Sequence, residues 1–512
     1  MRLPILCLLC CACVYGAGPF NVVDYGARND ASANAGSAIR AAIQAAKAAG
    51  GGTVYIPAGR YVTGPIELVS NMVLDIDAGA VVRFEASEAG LTYTKGRLEG
   101  TDCITPAPLI GGHDLENVTI RGRGLLTTDN AAWMRLTREP AAVAARAVFT
   151  NILNSLNGNM PVPPEDYQKA APALRPSFIR TMDSRNVLIE GIHIVGSSMW
   201  TIHILYSQNV TIRGVTVETY PGVNTDGVDI DSSRDVRISD SYFDTGDDGI
   251  CLKSGKDADG LRVNRPTEDV TITNCTIHHA HGAVVLGSET SGGIRNVVAT
   301  NIVCRGTEKG VRIKSTRGRG GLIENIRFDN WTMDDVGEAI NVTSYYTRSP
   351  QEPVSKRTPV FRNIAISNMT INGSPVAINV EGLPEMPVTG LQLSNIVATG
   401  RAGMKAYNTA GLELHNVQVN PESGPAFLVR DSTGLLLDEV SSSTPAPGAP
   451  VVRLDRCPDA ILRSSRAFAG TGTFLSAGPG ELKSVVLEGN TLGKARQVSE
   501  ESQTDYWKAP AR

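Results

Sequence analysis

The chain has 512 residues, 42% of them hydrophobic and 20% charged, with a formal net charge of −4. That balance supplies ample core and excludes the basic character of a general nucleic-acid or membrane-surface binder. Its 52 glycines, set against 5% aromatics, suit many tight turns joining short strands.

Met1 to Ala17 reads as a secretory signal, with Arg2 at the start, an apolar run from Leu3 to Val14, and a small residue at Gly16 or Ala17. The run is too short to span a bilayer comfortably, and no later run is of membrane length. The residues before Cys10, Cys11 and Cys13 fit a lipobox poorly, so a plain signal is preferred to a lipid anchor. The mature chain is expected to be soluble and either secreted or periplasmic. Outside the signal the cysteines are Cys103, Cys251, Cys275, Cys304 and Cys457, too few for a disulfide framework in so long a chain. Cys251, Cys275 and Cys304 are 24 and 29 residues apart and read as a column of small buried side chains rather than metal ligands.

Residues 18–30 look like a first strand and turn. Ser37 can cap the segment that follows, where Ile39, Ile43 and Ala46 mark one face at helical spacing. Gly50-Gly51-Gly52 stops this helix, and Thr53-Val54-Tyr55-Ile56 is a strand. A helix ahead of a long series of strands would cap the open end of a solenoid.

From there a repeat takes over. Asn71-Met72-Val73-Leu74, Asn117-Val118-Thr119-Ile120, Asn186-Val187-Leu188-Ile189, Asn209-Val210-Thr211-Ile212 and Asp235-Val236-Arg237-Ile238 share one pattern, continued from Asp269, Asn296, Asn325 and Asn363. From Asn186 the intervals are 23, 26, 34, 27, 29 and 38 residues. A polar turn residue followed by alternating apolar positions is β-type periodicity, and its recurrence is that of a solenoid. Asn and Asp tolerate left-handed backbone and can stack as a ladder. The fold class expected is all-β, a single-stranded right-handed parallel β-helix with an N-terminal capping helix, running over 18–490. Asn117 and Asn186 are separated by 69 residues, and this excursion, about 128–176, is helical from Glu139 to Leu156. It either walls one end of a groove or decorates the solenoid laterally. Residues 491–512 look like a loose polar tail.

Within the repeat, Asn224-Thr225-Asp226, Gly246-Asp247-Asp248, His281-Gly282 and Arg312-Ile313-Lys314 follow one another at coil-like intervals. Adjacent parallel strands lie about 4.7–4.9 Å apart, so Asp226, Asp247 and Asp248 become neighbours on one surface. Taken singly, each is explained as a turn aspartate, since Asp226-Gly227 and Asp248-Gly249 are turn dipeptides. Convergence of three with nearby cations reverses that reading. Clustered carboxylates repel, so at least one holds its proton to higher pH, as an acid/base pair requires. An inverting glycosidase needs carboxyls about 6.5–9.5 Å apart, a range expected of adjacent coils. Arg312 and Lys314 share a face by strand alternation, with Val311 and Ile313 turned inward. They either neutralise the aspartates or bind a substrate carboxylate.

The four motifs in this order, with Asp247-Asp248-Gly249-Ile250-Cys251-Leu252-Lys253-Ser254-Gly255 and the early Gly50-Gly51-Gly52-Thr53-Val54-Tyr55-Ile56-Pro57, resemble family 28 of the glycoside hydrolases, the polygalacturonases. The likeness is dense from about 18 to 350. It implies Asp247 as general acid, Asp226 and Asp248 activating water, and His281 tuning the acid. It further implies Arg312 and Lys314 on a galacturonate carboxylate, Asn224 orienting its neighbours, and Tyr346, or Tyr345 by a one-residue slip, touching sugar. Ala280 stands where the family commonly has Gly. Members acting on rhamnogalacturonan tend to lack the His and Arg-x-Lys motifs, so their presence favours galacturonate at the cleaved bond.

The activity expected is inverting hydrolysis of α-1,4 bonds in polygalacturonan or pectin, without metal or cofactor, by a monomer whose partner is an anionic polysaccharide. The excursion tilts the expectation toward exo action. The rivals are a calcium-dependent pectate-lyase-like eliminating enzyme, a non-catalytic pectin-binding solenoid and, within the family, a hydrolase directed at rhamnogalacturonan or xylogalacturonan.

Overall fold

The computed structural model describes residues 19–87, 91–346 and 352–507; the signal-like stretch 1–17 lies outside the described residues. From Phe20 onward the chain winds as a right-handed parallel β-helix of three short strands to a coil. Inward side chains stack in register on each of three sheets. Val187, Val210, Val236 and Val270 line the first, Ile194, Val217, Phe243 and Ile277 the second, and Ile202, Val228, Ile250, Val284 and Val311 the third. All are buried in one continuous apolar cylinder. At about 1.5–3 kcal/mol for each fully buried aliphatic side chain, this column supplies most of the driving force for folding.

The repeat's polar residues make the turns. Asn71, Asn117, Asn186, Asn209, Asp235, Asp269, Asn296, Asn325 and Asn363 all adopt φ between 51° and 61°, where Asn and Asp are favoured over other side chains. Their amides form the ladder: Asn117 donates to Asn71, Asn186 to Asn117 and Asn209 to Asn186 at 2.9, 2.8 and 2.7 Å. It breaks at Asp235, because a carboxylate has no N–H to pass on, and the Arg237 guanidinium donates to Asn209 instead. A second run starts on Asp269 and continues through Asn296, Asn325 and Asn363.

Helix α1 (Gly36–Ala48) covers the N-terminal end, burying Ala38, Ile39, Ala42, Ile43 and Ala46. Ser37 lies inside the helix and does not cap it; Oδ1 of Asn34 accepts from the Gly36 amide at 2.9 Å. The polar stretch after 490 is not loose where described. Gln497–Glu501 pairs with Thr473–Ala477, and the Trp507 indole donates to Asp455 at 3.0 Å. Its side chains are polar because they face water, but the backbone closes the final strand edge. The five cysteines outside the signal are free and buried, yet they form no column. Cys275 faces Ile302 and Cys304 faces Met333, while Cys251 sits on another sheet opposite Val285. Unequal turn lengths between coils shift residues that sequence spacing alone would align.

The excursion consists of α2 (Asn130–Leu136), α3 (Pro140–Asn157) and α4 (Pro164–Ala170). Pro140 and Pro164 stand in the first turns, where their missing N–H costs nothing. Helix α3 packs on an antiparallel hairpin, Tyr93–Leu98 with Thr101–Pro106. Arg97 anchors this hairpin to the outer face of the third sheet. Its guanidinium is buried, 2.7 Å from Asp102 and 2.6 Å from Asp231, and lies over the Tyr206 ring. A surface that would otherwise be wet is thereby covered beside the motif aspartates.

Candidate active site

Three of the motifs lie just ahead of strands of the third sheet, and Arg312-Ile313-Lys314 forms the last three residues of the fourth strand. Val228–Asp231, Ile250–Lys253, Val284–Leu286 and Lys309–Lys314 pair in order. The Gly227 amide donates to the Asp248 carbonyl at 2.9 Å, and the His281 amide to the Asp247 carbonyl at 3.1 Å. Asp226, Asp248 and the His281 turn therefore stand one above another. One oxygen from each of Asp226, Asp247 and Asp248 lies within 4.8 Å of the others. This is closer than the expected range, because Asp226 and Asp248 share one column a single inter-strand step apart and Asp247 is the chain neighbour of Asp248. It leaves room for one water to donate to Asp226 and Asp248 together, each at an ordinary O–H···O length of about 2.7–2.8 Å.

Cations close round this group. Lys314 Nζ is 2.8 Å from Asp248 Oδ2 and an Arg312 terminal nitrogen 3.5 Å from Oδ1. The Arg312 guanidinium also donates to the His281 carbonyl at 3.2 Å. Strand alternation turns Val311 and Ile313 into the core. His281 Nδ1 stands 3.1 Å from Asp247 Oδ1, with Glu308 3.6 Å from Nε2. Tyr346, not Tyr345, lines the cavity, its ring centre 5.4 Å from Lys314 Nζ. Asn224 Oδ1 accepts from Arg175 at 3.0 Å, which leaves its amide N–H groups as donors for the site.

Charge is sorted by burial. Burial is the main force raising Asp226 well above the usual carboxylate range, aided by Asp229 and Asp247. Burial likewise pushes Asp229 up to about 8, against the opposing pull of Lys253. Burial also works to raise Asp247, but the hydrogen bond and charge of His281, with Lys253 and Lys314, hold it at about 2. His281 is raised in turn by its bond to Asp247. In the free site protons therefore rest on Asp226, on Asp229 and on the His281–Asp247 pair, with Asp247 as the anionic member.

Asn224, Asp226, Asp247, Asp248, Lys314 and Tyr346 line a cavity of about 290 Å³ that also includes Glu99, Trp200, Lys256 and Glu289. A larger hollow of about 620 Å³ beside Arg121, Arg123 and Arg213 lies elsewhere on the solenoid. Two of its arginines are taken up by ion pairs, Arg121 with Asp75 and Arg213 with Glu190. Several residues of the active-site cluster escape the motif reading. Lys253 Nζ sits 3.6 Å from Asp226, 3.4 Å from Asp229 and 3.6 Å from Glu289, over the Trp200 ring at 4.4 Å. Asp229 and Lys253 were accessible to strand alternation, which turns both outward, three and five positions after Asp226 and Asp248. Arg175, Trp200 and Glu289 carried no such signal. Ligand atoms of Asp226, Asp229 and Cys251 also lie within 4.8 Å of one another. For both acidic sets the compensating charge is built in, from Lys253 and Lys314. Among the described residues, Arg312 Nε and Asp226 Oδ1 are buried without hydrogen-bond partners, a state that a bound ligand relieves.

The profile of Glycosyl hydrolases family 28 matches residues 165–420, and that of Rhamnogalacturonase A/epimerase, pectate lyase-like proteins matches 19–136. A probable polygalacturonase of Vitis vinifera is 30% identical over 358 residues, 68% of this chain and 67% of its own length. An exo-poly-alpha-D-galacturonosidase of Dickeya chrysanthemi is 28% identical over 395 residues, 71% of this chain and 64% of its own. The chain thus matches roughly two thirds of the length of these relatives. Among solved structures, a hyperthermoactive exopolygalacturonase from Thermotoga maritima superposes with a TM-score of 0.72 at 33% identity, over 78% of this chain and 91% of that one. A family 28 exopolygalacturonase of Yersinia enterocolitica, at 21% identity and a TM-score of 0.69 over 84% and 79%, shares the fold.

Proposed function

The chain belongs to family 28 of the glycosyl hydrolases, and from that premise we propose that it hydrolyses α-1,4 bonds between galacturonate units of polygalacturonan, working from a chain end. The observation that carries this reading is the cluster of Asp226, Asp247, Asp248 and Lys314 in one cavity, with His281 against Asp247 and Arg312 against Asp248. A uronate carboxylate entering it meets the free Arg312 Nε and the Lys314 ammonium, and takes over part of the charge those cations give to Asp248.

Asp247 is the acid, the most open of the three carboxylates at 14% side-chain exposure against 3% and 2% for Asp226 and Asp248. Its proton comes from His281. Substrate charge on Lys314 weakens one of the forces that keep Asp247 ionised, so the proton passes to Asp247 as the glycosidic oxygen arrives. Asp226 and Asp248 orient a water; as its oxygen bonds the anomeric carbon its proton passes to the Asp248 carboxylate, and the bond to the leaving oxygen breaks as that oxygen receives the Asp247 proton. The carboxylate spacing alone does not dictate stereochemistry. We assign inversion on the family likeness, and proton resonance of the first-formed product reads it directly as the β anomer.

Exo action is supported by the closed end of the cavity. Trp200 stands one coil before Asp226 in the same column, Arg175 comes from the end of the excursion, and the hairpin tip reaches Lys256, whose amide donates to the Gly100 carbonyl at 2.8 Å. The names of the Dickeya and Thermotoga relatives agree. Export is supported by the signal-like 1–17 and by a polysaccharide substrate outside the cell, and we take the enzyme to act as a monomer; no described helix is long and apolar enough to cross a membrane. A timed product profile on unesterified polygalacturonate, with chelator present, tests the proposal. Short product from the first minutes is expected. An early ladder of oligomers overturns exo action, and unsaturated, ultraviolet-absorbing ends that appear only with calcium overturn hydrolysis.

A further inference from the structure

The outer face of the third sheet does not end at the cation pair. Arg312 stands in register with Asn341, Asn379 and Lys405 on the next three coils, and Lys314 with Thr343, Glu381 and Tyr407. At one inter-strand step per coil, Lys405 lies about 14–15 Å beyond Arg312 along the solenoid. A row of rings accompanies the floor. Tyr346 flanks Lys314, Tyr345 meets Tyr407 at 6.1 Å, and Tyr407 meets Trp507 edge-on at 5.7 Å. The acids of this floor are engaged: Thr343 and Tyr407 hydroxyls donate to Glu381 at 2.6 and 3.0 Å, and Glu338 accepts from the Asn341 amide at 2.6 Å and pairs with Lys309 at 2.9 Å.

Lys405 itself has no ion-pair partner among the described residues, although it is half-buried. It lines a cavity of about 340 Å³ between the strand Val388–Tyr407, Leu428, Ser423 and the C-terminal Asp505 and Tyr506, where Asp505 accepts from the Arg430 guanidinium at 3.5 Å and the Trp507 amide at 3.0 Å. A polymer held in the active-site cavity is blocked toward the N-terminus by Trp200 and Arg175. Whatever the cavity does not enclose must leave along this floor.

We propose that the strand face from Asn341 to Lys405 is a distal galacturonan-binding surface, on which Lys405 receives a uronate carboxylate of the unenclosed chain beside the Tyr345–Tyr407 rings. The inference rests on the proposed substrate class. An ammonium already part-desolvated by its cavity binds a carboxylate better than a fully hydrated one, and the rings offer apolar faces to pyranose C–H groups.

Lys405→Gln tests it. The ratio of kcat/KM on hexagalacturonate to that on digalacturonate is expected to fall about fivefold, the scale of one partly exposed ion pair, and Lys405→Arg should restore it. Binding of hexagalacturonate to an Asp247→Asn enzyme, followed by calorimetry, should weaken by the same factor when Lys405→Gln is added. A ratio and affinity equal to those of the parent overturn the proposal, as does an equal loss on dimer and hexamer. If the wild type cleaves no galacturonan at all, the substrate assignment fails instead, and the calorimetric titration still decides whether Lys405 binds the polymer.

Discussion

His281 Nδ1 lies 3.1 Å from Asp247 Oδ1, so the most open carboxylate of the cluster and the only imidazole beside it among the described residues share a proton. His281 is raised above its ordinary value by this contact, and Asp247 is held at about 2. Activity should persist while the pair carries its proton and fall as pH rises through the raised His281 value. In His281→Gln the force depressing Asp247 is gone, but so is the proton reservoir. We expect kcat/KM to drop about 10²-fold and the alkaline limb to move to lower pH. A pH–rate profile with an unmoved limb would show that His281 does not supply the proton.

Asp247→Asn removes the acid while keeping shape. A fall in kcat of about 10²–10⁴-fold is expected, with oligogalacturonate still bound. Reducing-sugar release and calorimetry on the same preparation check it; loss of binding together with turnover would make Asp247 a structural residue.

Arg312→Lys keeps the charge but loses the fork that can grip a carboxylate through two N–H groups. KM should rise about tenfold, with a smaller change in kcat. An unchanged KM on short galacturonates would separate Arg312 from substrate recognition.

Asp229 is buried, and its carboxyl is pushed up to about 8 from an unfolded value near 3.8. Between these values the folded state binds a proton that the unfolded state has released, so stability falls as pH rises across that window. Asp229→Asn removes the proton uptake. Urea midpoints from pH 4 to 8 should decline less steeply in the variant than in the wild type, and parallel slopes would refute the assignment.

Lys253 holds Asp226, Asp229 and Glu289 around one ammonium. Lys253→Met leaves these carboxylates without that partner and should cost about 3–5 kcal/mol, the scale for breaking a buried ion pair. Equal denaturation midpoints for variant and wild type would show that the cluster is held by something else.

The sequence by itself determined the periodic parts of this protein. Alternation put Val228, Ile230 and Val311 inside, recurrence of Asn and Asp set the left-handed turns, and coil spacing brought Asp226, Asp247, Asp248, His281, Arg312 and Lys314 to one face. Each of these follows from a local rule repeated at nearly constant interval. Ser37, the cysteine column and the loose tail failed where such a rule meets irregular turns or a chain end that needs backbone partners. Only the tertiary structure decided which outward residues become a site. Asp229, Asp231 and Lys253 occupy positions that on a bare coil would face water; Asp231 is buried under Arg97 of a distant hairpin, and Asp229 and Lys253 among Asp226, Glu289 and Trp200. That burial, and not the identity of the aspartates, raises Asp226 and leaves Asp247 beside His281 as the open member. No local pattern encodes a contact made between residues 134 positions apart.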